Sequence, residues 1–279
     1  MNFKSFDNFT LKECEEYLRL NPHGLEVSAV MDRIRALNEQ KKYRLTFDVK
    51  GVYFDMIAVA GGTFQMGEEY EWYQFWKANK RHTVTLDDYY IGETPVTQEL
   101  WQAVMDNNPS FFLGNNNQCP VERVSWFDCQ AFVSELNIML EEQLPSGRKF
   151  RLPTEAEWEF AAIGGSKDKG CEFSGSHSIE KVAWYDGNSE STTHPVGKKS
   201  PNELGLYDMS GNVWEWCSDS FVLYPSKHQT NPRVNQRWGS GRVLRGGSWY
   251  NNAQCCHVAF RNFNNPSCRN NYYGLRLAF

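Results

Sequence analysis

Residues 205–216 read GLYDMSGNVWEW. Gly205 and Gly211 mark turns, and Trp214 and Trp216 alternate as side chains do on a strand, which places both indoles in the core. Downstream, residues 242–245 (RVLR) form a strand pattern, and Gly246-Gly247 behind them permit a bend or a close backbone approach. The chain ends on GLRLAF, residues 274–279, a terminal strand with Leu275, Leu277 and Phe279 on one face and Arg276 on the other. Between these strands lie residues 250–273, with seven asparagines, three of the eight cysteines, and no hydrophobic period. That interruption is the feature to be explained.

Upstream the elements are more regular. Residues 1–48 are expected to be helical: Thr10 is an N-cap candidate for a helix carrying Leu11, Cys14, Tyr17 and Leu18. After Asn-Pro-His-Gly a second helix carries Val27, Val30, Met31, Ile34 and Leu37. Together they make an αα-hairpin. From about residue 50, strand-like runs alternate with turns rich in Gly, Asn, Asp and Pro. Three further helices start at N-caps: Thr97, with Leu100, Trp101, Val104 and Met105 on one face; Ser125, with Cys129, Phe132, Val133 and Leu136 inward; and Thr154, whose capping box closes through Glu157. The fold class is α+β, with short strands and long connections toward the end. Long ordered connections tend to carry function.

Composition narrows the functional classes. A net charge of −5 provides no concentrated basic surface for nucleic acid. No run of about 18 apolar residues is present, so no transmembrane helix is expected. The start, MNFKSFDNFTLKE, lacks the pattern of a signal peptide. The cysteines form no C-x-x-C pair, which argues against zinc and for free, mostly buried thiols.

Six segments occur in a fixed order: GGTFQMG, VTLDDYYIGETPVT, NPSFF…CPVERVSWFDCQAF, RKFRLPTEAEWEFAA, HPVGKKSPNELGLYDMSGNVWEWCSD and RVLRGGSW…GLRLAF. Together they resemble the formylglycine-generating-enzyme (sulfatase-modifying factor) type of C-type lectin fold. The resemblance covers residues 49–279 and leaves 1–48 as an N-terminal helical segment. It implies that calcium can be held near the GNVWEW motif, where Asn212 and Glu215 are oxygen donors. Two donors fall short of the six to eight that calcium takes. The other reading makes Asn212 a turn residue and Glu215 a salt-bridge partner.

The enzymes of that family use two cysteines that bind copper(I), activate oxygen and oxidise a substrate cysteine to formylglycine. The first lies five residues after the first glycine of the GGS motif, and the second five later. Here those positions are Asn251 and Cys256. An amide cannot replace a thiolate toward a soft metal, and the adjacent Cys255 changes the spacing. The chain is therefore expected not to be an enzyme of this kind, and Ser248 is read as a turn residue.

A second branch of the fold comprises the variable proteins of diversity-generating retroelements, whose 3′ gene ends are rewritten by adenine-specific mutagenesis. Asparagine codons are the usual targets. Changing their adenines yields Tyr, Cys, His, Phe, Ser and others, never Lys, Glu, Gln, Met or Trp. Tyr250, Cys255, His257, Phe260, Phe263, Ser267, Cys268 and Tyr272 are all reachable in this way. Asparagines remain at Asn251, Asn252, Asn262, Asn264, Asn265, Asn270 and Asn271. From residue 255 to the end there is no Lys, Glu, Gln, Met or Trp.

Residues 245–279 thus resemble a C-terminal variable region, and the fifteen residues just named are the candidate ligand-binding set. Random volume changes are tolerated only at solvent, so these side chains should share an exposed face. Trp249, Val258, Ala259, Arg261, Pro266, Arg269 and Gly274 would keep the frame. The resemblance implies a receptor-type, cell-surface or extracellular protein, lipid-anchored in its native precursor and monomeric. Its ligand is macromolecular, protein rather than glycan, and it requires no cofactor.

Overall fold

The computed structural model describes residues 9, 11–22, 24, 26–68, 80–113, 117–236 and 241–279. The chain divides into two compact units, Met1–Leu45 and Thr46–Phe279. In the first, helices α1 (Leu11–Leu20) and α2 (Val27–Lys42) bury Cys14 and Val30 among Phe9, Tyr17, Leu18 and Ile34. The expected cap, Thr10, and the side chain of Leu37 lie outside the described residues. Met31 was placed on the apolar stripe, yet it is 47% exposed. Val30 and Ile34, four apart, face the partner helix, and Met31 is rotated about 100° away from Val30. The helical segment also ends earlier than expected. Arg44–Val49 is strand β1, where Phe47 and Val49 are buried and Thr46 and Asp48 exposed, a period of two.

The second unit contains three small sheets. β1 joins β2 (Val52–Val59) and β5 (Tyr89–Gly92) in the order β1-β2-β5; β3 (Gly62–Met66), β4 (His82–Leu86) and β7 (Gln229–Thr230) are ordered β3-β4-β7. The third sheet contains β6 (Trp214–Ser220), β8 (Arg242–Arg245), β9 (Arg261–Asn264) and β10 (Tyr273–Leu275) in the order β10-β6-β8-β9. β10 runs parallel to β6, with Tyr273 opposite Trp214, and β9 is an antiparallel edge strand on β8, with Phe263 opposite Val243. Past β10 the chain reaches β5: the Tyr90 amide donates to the Phe279 carbonyl and the Gly92 amide to that of Leu277.

The helices follow their caps. α3 (Gln98–Met105), α4 (Trp126–Met139) and α5 (Glu155–Ala162) begin at Thr97, Ser125 and Thr154, each accepting an amide three residues on. A fourth, α6 (Ile179–Val182), is a single turn. α5 is buried on every side. Its three glutamates sit in the interior because each meets an arginine: Glu155 with Arg261, Glu157 with Arg151, and Glu159 with Arg245. Trp214 and Trp216 are core residues as expected, 1% and 0% exposed.

Candidate functional site

Arg245 closes β8 and is fully buried. Its guanidinium pairs with Glu159 and donates to three consecutive carbonyls, Val258 (3.1 Å), Ala259 (3.0 Å) and Phe260 (2.7 Å). The segment after the GGS turn is therefore gripped by its main chain. Other contacts repeat that device. The Ser210 hydroxyl donates to the Cys256 carbonyl (2.8 Å), and the Trp249 indole to that of Asn271 (2.9 Å). The amides of Arg123, Trp126, Asp186 and Trp214 donate to the carbonyls of Asn270, Pro266, Asn251 and Tyr272. Hydrogen bonds to carbonyls do not depend on the side chain at that position, so the backbone path is held whichever residue occupies it.

The side chains divide accordingly. Tyr250, Asn252, Phe263, Asn265 and Ser267 are exposed; Asn251, Cys255, His257, Phe260, Asn262, Asn264, Cys268, Asn270, Asn271 and Tyr272 are partly exposed; none of the fifteen is buried. Interleaved with them, Trp249, Val258, Ala259, Arg261 and Gly274 are buried. Tyr250 and Tyr272 stack at 5.7 Å, and Phe260 borders Trp214 at 6.0 Å. Phe263 packs instead on Phe221 (4.3 Å) and His257 on Phe173 (4.8 Å). Two of the frame residues lie nearer the surface. Pro266 is only partly buried, and the Arg269 side chain is 54% exposed, tied to Asp128 by a two-armed ion pair of 2.7 and 2.8 Å.

Asn251 behaves unlike its neighbours. Its Oδ1 accepts from the buried Trp214 indole (2.8 Å) and from the Ser248 hydroxyl (2.5 Å). It serves the frame. Cys256 is fully buried among Phe173 and Val182, and burial drives its thiol well up from the ordinary range. Cys255 is pushed up to about 11, again by burial. Neither thiol has the electropositive, accessible setting of a reactive cysteine. All eight cysteines are free; Cys14, Cys119, Cys129, Cys217 and Cys256 are buried.

The calcium expectation at Asn212 and Glu215 does not fit the geometry. Both Glu215 oxygens are engaged: Arg276 reaches them at 2.9 Å, and the Trp158 indole donates to one at 2.6 Å. Asn212 takes a left-handed turn (φ 64°), with its amide bonded to His194 on both sides. A cation there would have to displace a buried arginine. Among the described residues no group of three or more His, Cys, Asp or Glu could hold a metal ion.

Several site-building residues were not legible in the sequence. Arg245, Glu155 and Glu159 were unremarkable as text, because a helix buried on all sides gives no amphipathic signal. A loop outside the C-terminal segment also reaches the face: Phe112 packs edge-on against Trp249 (5.2 Å), with Phe111 and Leu113 exposed beside it. Three apolar residues in a row ahead of a turn were the only clue.

Comparison with known proteins agrees with this geometry. The structure of Treponema denticola variable protein 1 matches with a TM-score of 0.74 and 38% identity, covering 84% of this chain and 98% of that one. The chaperone protein LppX of Paenibacillus barcinonensis is 32% identical over 250 residues, 74% of this chain and 82% of that protein. A formylglycine-generating enzyme of Thermomonospora curvata is 29% identical over 255 residues, 83% of this chain and 80% of the enzyme. The model of the sulfatase-modifying factor enzyme 1-like domain matches residues 48–279. The chain belongs to that family, with the α+β, C-type lectin-like fold that its motifs led one to expect.

Proposed function

We propose that this chain is a ligand-binding, receptor-type protein whose C-terminal face is diversified by adenine-specific mutagenesis from a retroelement. One observation carries the reading. The positions reachable from asparagine codons keep their side chains at least partly in solvent, while Trp249, Cys256, Val258, Ala259, Arg261 and Gly274 among them are buried and the main chain is held through its carbonyls. The likeness to a variable protein supports it. The surface has the composition of a paratope: tyrosine and phenylalanine give contact area at low entropic cost, and asparagine and serine give adaptable hydrogen bonds. The ligand we propose is a protein, bound at a cell surface by a monomeric receptor that needs no metal at the Asn212–Glu215 pair. No helix among the described residues is long and apolar enough to cross a membrane.

The decisive experiment is genetic. A near-copy of the coding segment, differing only at adenines and lying beside a reverse-transcriptase gene, is expected downstream. Its absence overturns diversification and favours a non-variable scaffold domain of the same fold. The likeness to a formylglycine-generating enzyme keeps a second reading in play. Incubation with copper, oxygen and a sulfatase-motif peptide is expected to yield no aldehyde; turnover would establish the oxidase instead.

A further inference from the structure

The face described above is flanked by a fixed loop, and the loop rests on one buried carboxyl group. Glu122 is fully buried. One of its oxygens accepts from the amides of both Phe111 (2.6 Å) and Phe112 (2.8 Å), and its other oxygen has no hydrogen-bond partner. Its own amide donates to the Ser110 hydroxyl (3.2 Å), so the loop and the carboxyl hold each other. The next residue, Arg123, donates its amide to the Asn270 carbonyl of the C-terminal segment (3.0 Å). Phe112 meets Trp249, which in turn contacts Tyr250 edge-on at 5.5 Å. Glu122 thus lies where the constant loop and the C-terminal segment are fastened together.

We propose that Glu122 is a pH-sensing positioning residue, which sets the loop of Phe111, Phe112 and Leu113 against the C-terminal face in a protonation-dependent way. Its bearing on binding rests on the ligand-binding reading above. As a carboxylate, Glu122 holds the two amides by charge-assisted bonds. As an acid it carries its proton on the oxygen that no donor holds, and with the charge gone its grip on the two amides weakens. Burial, opposed by those two amides and by the positive charge of Arg123, lifts the carboxyl to about 7, so both forms are populated near neutrality. The other titratable group coupled to it is the Cys119 thiol, which burial raises above its ordinary value, so it stays neutral in this range.

The test needs no ligand and uses the full chain. Isotope-labelled protein is titrated from about pH 5.5 to 8.5 while the amide signals of Phe111 and Phe112, the Trp249 indole signal and the Glu122 side-chain carboxyl carbon are followed. All four are expected to move with one midpoint near 7. Exchange protection of the two amides, corrected for intrinsic base catalysis, should rise about tenfold across the midpoint. In Glu122→Gln the amides and the indole should be flat. A carboxyl carbon that does not titrate, a Trp249 signal that stays fixed, or an unchanged titration in the variant overturns the proposal. If the variant does not fold, the carboxyl carbon and the indole of the native protein still decide. The template-copy experiment tests the diversification reading separately, so failure of one leaves the other standing.

Discussion

β6 and the segment of residues 250–272 belong to the same corner of the molecule and obey opposite rules. Every residue of β6 is buried, including Glu215 and Asp219, and its polar side chains are committed to named partners: Glu215 to Arg276 and the Trp158 indole, the Trp214 indole to Asn251, the Trp216 indole to the Val124 carbonyl. In the C-terminal segment the main chain takes the structural bonds, and most side chains reach water. A frame built from side chains is specified by its sequence. A surface hung by its carbonyls can change its text and keep its path. Substitutions should therefore separate the two regions by the size of their effect.

The largest effect is expected where the frame grips the face. Arg245→Met removes the donor to three carbonyls and leaves Glu159 as a buried charge without its partner. Breaking a buried pair in this way costs about 3–5 kcal/mol. Urea unfolding of the variant should show that loss, while Arg269→Ala, at the exposed pair with Asp128, should lose less than about 1 kcal/mol. Equal losses in the two would erase the distinction between frame and face.

Asn251 sharpens the comparison, because it is asparagine text performing a frame task. Asn251→Ala leaves a buried indole N–H and the Ser248 hydroxyl without an acceptor, at about 1–3 kcal/mol. Asn251→Asp, which keeps an acceptor, should recover most of that loss in the same unfolding assay. Codons at this position should also vary less among sibling copies than those for Tyr250 or Asn252, which sequencing of a diversified population would reveal.

This pair of residues also marks the limit of what the sequence conveyed. The capped helices, the core tryptophans and the family's fold were legible because caps and strand alternation are local patterns. The exposed character of Tyr250, Phe263 and Ser267 followed from a codon argument that needs no coordinates. The distinct role of Asn251 was not legible, because its partner, Trp214, lies 37 residues away. Glu215 as a salt-bridge partner was one of the two readings, but its partner, Arg276, was not legible: the pair closes a parallel contact between β6 and β10 across 61 residues. One-letter text shows a polar residue in an apolar strand without showing whether metal or arginine satisfies it.

Titration should separate the regions too. Residues 250–279 contain no Asp or Glu. The frame holds Asp208 and Asp219, which burial pushes up to about 6. A carboxyl whose folded pKa is raised binds its proton more tightly in the native state. Its contribution to stability is full below the ordinary carboxylate pKa and is lost as the pH rises through about 6. Stability should fall between pH 4.5 and 6.5 by on the order of 1 kcal/mol. Asp219→Asn should flatten that slope in chemical denaturation, and substitutions on the face should leave it unchanged.

The smallest effects are expected on the face itself, and there smallness is the informative result. Asn262, Asn265 and Ser267 lie at or beside the edge strand β9, which has no neighbouring strand on its outer side among the described residues. Replacing Asn262 or Ser267 by tyrosine adds a ring that can extend into solvent, so each change should shift stability by less than about 0.5 kcal/mol. Asn262 and Asn265 each also give up one local bond, since their amide oxygens accept from the Phe263 amide at 2.8 Å and the Ser267 amide at 2.9 Å, both at exposed backbone where water can take over. Thermal melts of the three single variants and their combination provide the test. If Asn262→Tyr and Ser267→Tyr together cost as much as Asn251→Ala, the segment is packed rather than presented, and a diversified binding face cannot be built on it.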